Sequence, residues 1–417
     1  MVRATPASYG RAVTSTPCRA FGIGLAALAA LTACTSAPSP STPGASVTAE
    51  PAASASPSPS VSPSAASCVD TAYAALSPEQ RAGQLVMVAL QAGSSSASLK
   101  PTIEGSHVGN MLYLGGWTSG KADVTATSGL LQQMATPDAT GGIGLLVAAD
   151  QEGGVVQQLK GDFTGIPSAL TQGTWDPAHL RSSAKGWGAE LKAAGVNLNL
   201  SPVADVVPTE IGKANGPIGR WDRQFGSDPA AVGRSVTAFT QGMADAGVQT
   251  SVKHFPGIGR IRGNTDFASE GVDDPVMTAT DAYLQPFVDG WTAGAGLVMM
   301  SSARYPQLDA DNPAMFSPAI IDGLLRQQLG FRGVVITDDI NAEAVKAVPL
   351  ADRATRFLGS GGDILLTGNT PTAPQIVAAI SSTALSDPTF GAKVETSVKR
   401  VLTLKASMGL VPGCSAA

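Results

Sequence analysis

Charge is scarce in this chain. Only 14% of its 417 residues are Asp, Glu, Lys or Arg, and the net charge is -5. No basic stripe runs along it, so no nucleic-acid partner is expected. Aromatic residues make up 5%, and there are three histidines, His107, His179 and His254. No cluster has metal-ligand spacing. What remains is 43% hydrophobic, enough for one large domain with a sizeable core.

The longest early apolar run, 21–31, is too short for a mature membrane span. It follows Arg3, Arg11 and Arg19 and closes on Leu31-Thr32-Ala33-Cys34. This order resembles a bacterial lipobox, which implies a lipoprotein signal at 1–33, cleavage before Cys34 and diacylation of its thiol. An ordinary signal peptide or an uncleaved anchor is the other reading. From Cys34 to residue 67 the chain is mostly Ser, Pro and Ala, too poor in bulk to offset its ordering entropy, and reads as a tether. The protein is therefore expected outside the cytoplasm, lipid-anchored to the cell membrane. Cys18 leaves with the signal, so Cys68 and Cys414 remain, one at each end of the domain 68–417. In an oxidising setting they are expected to pair.

Within that domain, Ser77-Pro78-Glu79-Gln80 has the form of a helix start with a capping box. Eight apolar runs follow, at 83–90, 109–116, 143–150, 196–206, 248–255, 296–304, 333–340 and 363–368. They are continuous, as strands buried on both faces should be. Helical stretches separate most of them, as at 177–194, 229–246 and 318–329, while 118–136 is polar and gives the weakest unit. Strand–helix alternation over this length favours an α/β fold, a single (β/α)8 TIM-type barrel, over a doubly wound sheet.

Ionisable and polar groups collect at the ends of these runs: Asp150, Asp205, Lys253-His254, Ser301-Ser302 and Asp338-Asp339. Barrels place their active sites at that end of the strands. Carboxylates with a Lys, a His and an Arg suit a polyhydroxylated substrate. Glycoside hydrolysis needs one group to attack the anomeric carbon and another to protonate the leaving oxygen. Asp338, first after its strand, is the candidate nucleophile, and Asp339 is expected on the other side of the chain, capping or bracing the next helix. His254 reads equally as a hydroxyl ligand or as a core histidine bonded to a neighbouring strand.

The strings Asp150-Gln151-Glu152-Gly153-Gly154, Leu200-Ser201-Pro202-Val203-Ala204-Asp205-Val206, Ile218-Gly219 with Arg223-Gln224-Phe225-Gly226, Lys253-His254-Phe255-Pro256-Gly257, Phe316-Ser317-Pro318 and Thr337-Asp338-Asp339 occur in order along the domain. In this the chain resembles family 3 glycoside hydrolases, in the single-domain β-N-acetylglucosaminidase branch that trims peptidoglycan fragments. The resemblance implies a barrel fold, retention at the anomeric carbon, Asp338 as nucleophile, and Asp150, Arg223, Lys253 and His254 as ligands of the −1 sugar. It implies N-acetylglucosamine-containing glycans or muropeptides as substrate and no metal or organic cofactor; a monomer is expected.

Two departures bear on the chemistry. After Lys-His-Phe-Pro-Gly the branch usually carries Asp-Ser-His, its acid/base pair; here Asn264-Thr265-Asp266 stands there. Asp266 becomes the candidate acid/base, with Glu270 in reserve. Val155, Val156, Gln157 and Gln158 stand where arginines are frequent, and Arg260 and Arg262 put two cations on the loop at 257–274, a candidate lid. Those cations suit a lactyl or phosphate group, or simply solubilise the loop. A carbohydrate-binding lipoprotein with weak or no catalysis, and a β-glycoside phosphorylase, remain as alternatives.

Overall fold

The computed structural model describes residues 63–414, with side chains from Cys68. The signal segment, Cys34 and most of the expected tether lie outside the described residues. The tether's last residues do not: the first helix, α1 (Pro63–Ala75), begins inside 34–67.

Eight parallel strands close a barrel: β1 (Val86–Gln91), β2 (Asn110–Leu114), β3 (Leu146–Ala149), β4 (Leu198–Asn199), β5 (Gln249–Phe255), β6 (Leu297–Met300), β7 (Val334–Asp339) and β8 (Ile364–Thr367). Each pairs with the next in sequence, and β8 pairs with β1 to complete the ring. Seven strands fall inside their apolar runs, and β1 overruns the first by one residue, Gln91. The fourth is much shorter than 196–206, and Pro202, which has no N–H to give a ladder, falls within the interrupted part. Beyond Asn199 that segment keeps only a single bridge, Val203 to Lys253.

Helices surround the ring: α2 (Pro78–Gln84), α3 (Lys121–Gln133), α4 (Pro177–Ala193), α5 (Pro229–Asp245), α6 (Gln285–Thr292), α7 (Leu350–Gly359), α8 (Ala373–Ser386) and α9 (Pro388–Ser407). The capping box at α2 forms as expected, with Ser77 Oγ accepting from the Gln80 N–H and the Gln80 side chain accepting from the Ser77 N–H. Three long helices start on Asp-Pro, where the aspartate accepts orphan amide hydrogens and proline sits at the first helical position: Asp176, Asp228 and Asp387. The polar stretch at 118–136 does hold a helix, α3. Residues 319–328 are helical too, but π-wound rather than α. Gly242 lets α4 and α5 close on each other, since a Cβ there would sit on the Arg181 carbonyl.

The two ends of the barrel differ. At the N-terminal end, α9 crosses the strand starts, and the Leu410 carbonyl accepts from the Gly144 N–H at 2.8 Å. A disulfide joins Cys68 to Cys414, with Cα atoms 5.7 Å apart, so both ends of the described chain meet on this side. The C-terminal end carries the long loops and the ionisable residues.

Candidate active site

A cavity of about 470 Å³ opens at the C-terminal end of the barrel. Its wall brings together all six residues named from the sequence: Asp150 after β3, Arg223 on the loop after β4, Lys253 and His254 on β5, Asp266 on the loop after β5, and Asp338 on β7. Neighbours on a regular strand point to opposite faces. Lys253 and His254 both reach the cavity because the β5–β6 register slips between Lys253 and Phe255. The β7–β8 register likewise slips between Ile336 and Asp339, and Asp338 and Asp339 both line the cavity. Asp339 was expected to face away. It lies at the wall and still braces: its Oδ1 accepts from the Asn341 N–H at 2.9 Å and the Gly368 N–H at 3.2 Å.

Lys253 is 2% exposed, and a bare ammonium there would be costly. Its Nζ lies 2.5 Å from Asp150 and 2.6 Å from Glu152. Burial alone would lower its pKa, but the two carboxylates hold it above the ordinary lysine value. Glu152 also takes a two-pronged bond from Arg223, at 2.8 and 2.7 Å. Burial would raise Glu152, yet Arg223 and Lys253 hold its carboxyl down at about 2. Arg223 gives a third hydrogen to the Pro217 carbonyl at 3.0 Å. Each cation thus keeps unused N–H groups, and Asp150 keeps an acceptor, for hydroxyls of a ligand.

His254 is held from behind. Its Nδ1 lies 2.7 Å from Asp205, and Asp205 also accepts from the His254 and Ile258 amides at 3.2 and 2.8 Å. This carboxylate fixes the ring while the imidazole edge lines the cavity, which merges the two readings of His254.

Asp266 is exposed as a residue, on a loop that borders the cavity. Partial desolvation, and then the charge of Asp338, raise its carboxyl to about 6. Glu270, the reserve candidate, is exposed and lies off the cavity wall. His107 and His179 also lie off it.

The loop at 257–274 is anchored at base and tip. Asn215 Nδ2 donates to the Ile258 and Ile261 carbonyls, both at 2.7 Å. The Ala344 and Glu343 amides donate to the Thr265 and Asp266 carbonyls at 3.1 and 3.3 Å, tying the tip to the loop after β7. Arg260 is committed to the scaffold. It bonds Asp281 at 2.7 Å and stacks over Tyr283 at 3.7 Å. Arg260 and Arg262 are both absent from the cavity wall, so the phosphate-site reading loses its residues. Ser301 also serves the scaffold: its Oγ meets the Tyr305 hydroxyl, which donates to the Gly257 carbonyl at 3.0 Å. Where arginines were looked for, Val156 forms cavity wall, while Gln157 and Gln158 hold backbone of neighbouring loops. Among the described residues no group of His, Cys, Asp or Glu side chains has an arrangement for a metal ion.

Residues 78–404 match the family described as Glycosyl hydrolase family 3 N terminal domain. The chain belongs to glycosyl hydrolase family 3. It is similar to a solved structure of a β-N-acetylhexosaminidase from Beutenbergia cavernae DSM 12333, at 48% identity and a TM-score of 0.77, over 79% of this chain and 98% of that one. A family 3 β-N-acetylglucosaminidase structure from Paenibacillus sp. str. FPU-7 is 28% identical with a TM-score of 0.70, over 82% of this chain and 64% of that one. A β-hexosaminidase of Xanthomonas axonopodis pv. citri (strain 306) is 38% identical over 53% of this chain, and the match spans 66% of that relative's length.

Two residues of this family 3 site carried no role in the sequence reading: Glu152 and Asp205. Both stood inside quoted motifs. The available signal was charge balance, since two buried cations and a buried imidazole each need a counter-charge.

Proposed function

We propose that this chain is a retaining exo-β-N-acetylglucosaminidase that acts on peptidoglycan fragments. The observation that carries this reading is the pair Asp338 and Asp266 on one cavity wall, with the second raised to about 6 beside the first. Asp338, ionised, attacks the anomeric carbon and forms a glycosyl ester. Asp266, protonated, gives its proton to the departing glycosidic oxygen. It then takes a proton from water as that water attacks the ester and frees Asp338. Asp150, Lys253, Arg223 and His254 hold the hydroxyls of the −1 sugar. The names carried by the Beutenbergia and Xanthomonas relatives support the hexosaminide substrate.

Hydrolysis of 4-nitrophenyl β-N-acetylglucosaminide tests it, with and without phosphate. We expect phosphate-independent turnover that falls by about 10³-fold or more in Asp338→Asn. Turnover unchanged in that variant removes the nucleophile assignment. Sugar binding without turnover in the native protein moves the reading to a carbohydrate-binding lipoprotein.

We place the enzyme at the outer side of the cell membrane, anchored through Cys34. Support comes from the lipobox-like Leu31-Thr32-Ala33-Cys34 and the Ser/Pro/Ala stretch that follows. The protein should sediment with membranes and be released by Cys34→Ala; sedimentation unaffected by that change rules out the anchor.

A further inference from the structure

Phe267 is 82% exposed, the most exposed large hydrophobic side chain among the described residues. Single exposed apolar residues are common and need no explanation by themselves. This one differs by its place. It follows Asp266 directly and lines the same cavity. Its backbone is fixed: the Phe267 N–H donates to the Asn264 carbonyl at 3.0 Å, and the two carbonyls before it accept from the loop after β7. Among the described residues its ring makes no aromatic stacking or cation–π contact, whereas Phe225, Phe255, Phe287 and Phe331 all pack against other aromatics. A hydrogen-bonded loop thus holds a bare ring at the mouth of a polar cavity.

The proposed reaction says which part of a substrate meets that ring. The charged wall of Asp150, Lys253, Arg223 and His254 takes the sugar that is attacked. Asp266 must reach the glycosidic oxygen, which joins that sugar to the leaving group. The next residue along the rim therefore lies beside the leaving group. We infer that Phe267 is the platform of the leaving-group subsite, selecting aglycones with a flat apolar face, such as the C–H face of a pyranose ring. Aromatic faces favour such partners over small or fully hydrated groups. This inference rests on the hydrolytic reading above and adds the class of leaving group.

The test compares Phe267→Ala and Phe267→Trp with the native enzyme on two β-N-acetylglucosaminides. One has N-acetylglucosamine as leaving group and the other has methyl, which is too small to reach the ring. We expect Phe267→Ala to lower kcat/KM about tenfold on the disaccharide and within about twofold on the methyl glycoside, with Phe267→Trp close to native on both. Equal losses on the two substrates, or none on either, overturn the platform. A binding arm separates this from the hydrolytic reading. In the Asp338→Asn background, Phe267→Ala should weaken the disaccharide and leave free N-acetylglucosamine unchanged. Should the native protein prove inactive, that binding difference still upholds the platform, and its absence still removes it.

Discussion

Two lysines are buried in this barrel, one at each end, and burial has opposite outcomes for them. Lys253, at the catalytic end, sits between Asp150 and Glu152, which hold its pKa above the ordinary value against the effect of burial. Lys405, on α9 at the other end, is fully buried and donates to two neutral acceptors, Gln84 Oε1 at 2.6 Å and the Gly109 carbonyl at 2.8 Å. With no carboxylate to oppose burial, its pKa falls to about 7. Desolvation sets the cost of a charge, and the partner decides whether the charge survives it. The cavity end keeps its buried ions because Asp150 and Glu152 answer Lys253 and Arg223. The closed end tolerates a proton that leaves near neutrality.

Breaking the catalytic side should have the larger effect. Lys253→Met leaves Asp150 without its cation and Glu152 with only Arg223. We expect a loss of about 3–5 kcal/mol in unfolding free energy, as for other broken buried ion pairs, together with loss of turnover. A variant within about 1 kcal/mol of the native protein in urea denaturation contradicts the assigned network.

The smaller effect lies at Lys405 and appears as a slope. An unfolded chain holds this proton up to about 10.4, whereas the fold releases it at about 7. Between these values the unfolded state binds more protons, so this lysine makes stability rise with pH. Below the lower value both states carry the proton, and the fold bears the full cost of the buried charge. Lys405→Met should remove this rise between neutral pH and pH 10 without touching the active site. A slope that persists in the variant assigns it to another group.

The two ends were not equally legible in the sequence. Strands ending in Asp150, Lys253-His254 and Asp338 pointed to one functional face, because ionisable groups at the end of an apolar run demand a use, and these residues do line one cavity. The barrel followed from eight continuous runs with helices between them. Glu152 stayed silent, and Asp205 was marked only as a polar strand end, because a counter-ion is defined by what it faces, not by its neighbours in sequence. Asp339 was placed on the wrong side because strand alternation was assumed, and the register slip that turns it inward depends on β8. Arg260 looked free for an anion because Asp281 and Tyr283, which occupy it, come some twenty residues later. Lys405 gave no sign at all within its helix, since its burial depends on α2 and the segment before β2.

The account turns on Asp266 acting as the acid that the family's usual Asp-Ser-His would supply. The most direct measurement is kcat/KM against pH for the native enzyme and Asp266→Asn, on the N-acetylglucosamine disaccharide and on an activated aryl glycoside. The acid must be protonated to work, so native activity on the disaccharide should fall as pH rises through about 6. In Asp266→Asn that fall should vanish, with the rate on the disaccharide down by about 10²-fold or more and a smaller loss on the aryl substrate. An unchanged profile, or equal losses on both substrates, would contradict the role of Asp266 and send the search for the acid elsewhere on the cavity wall.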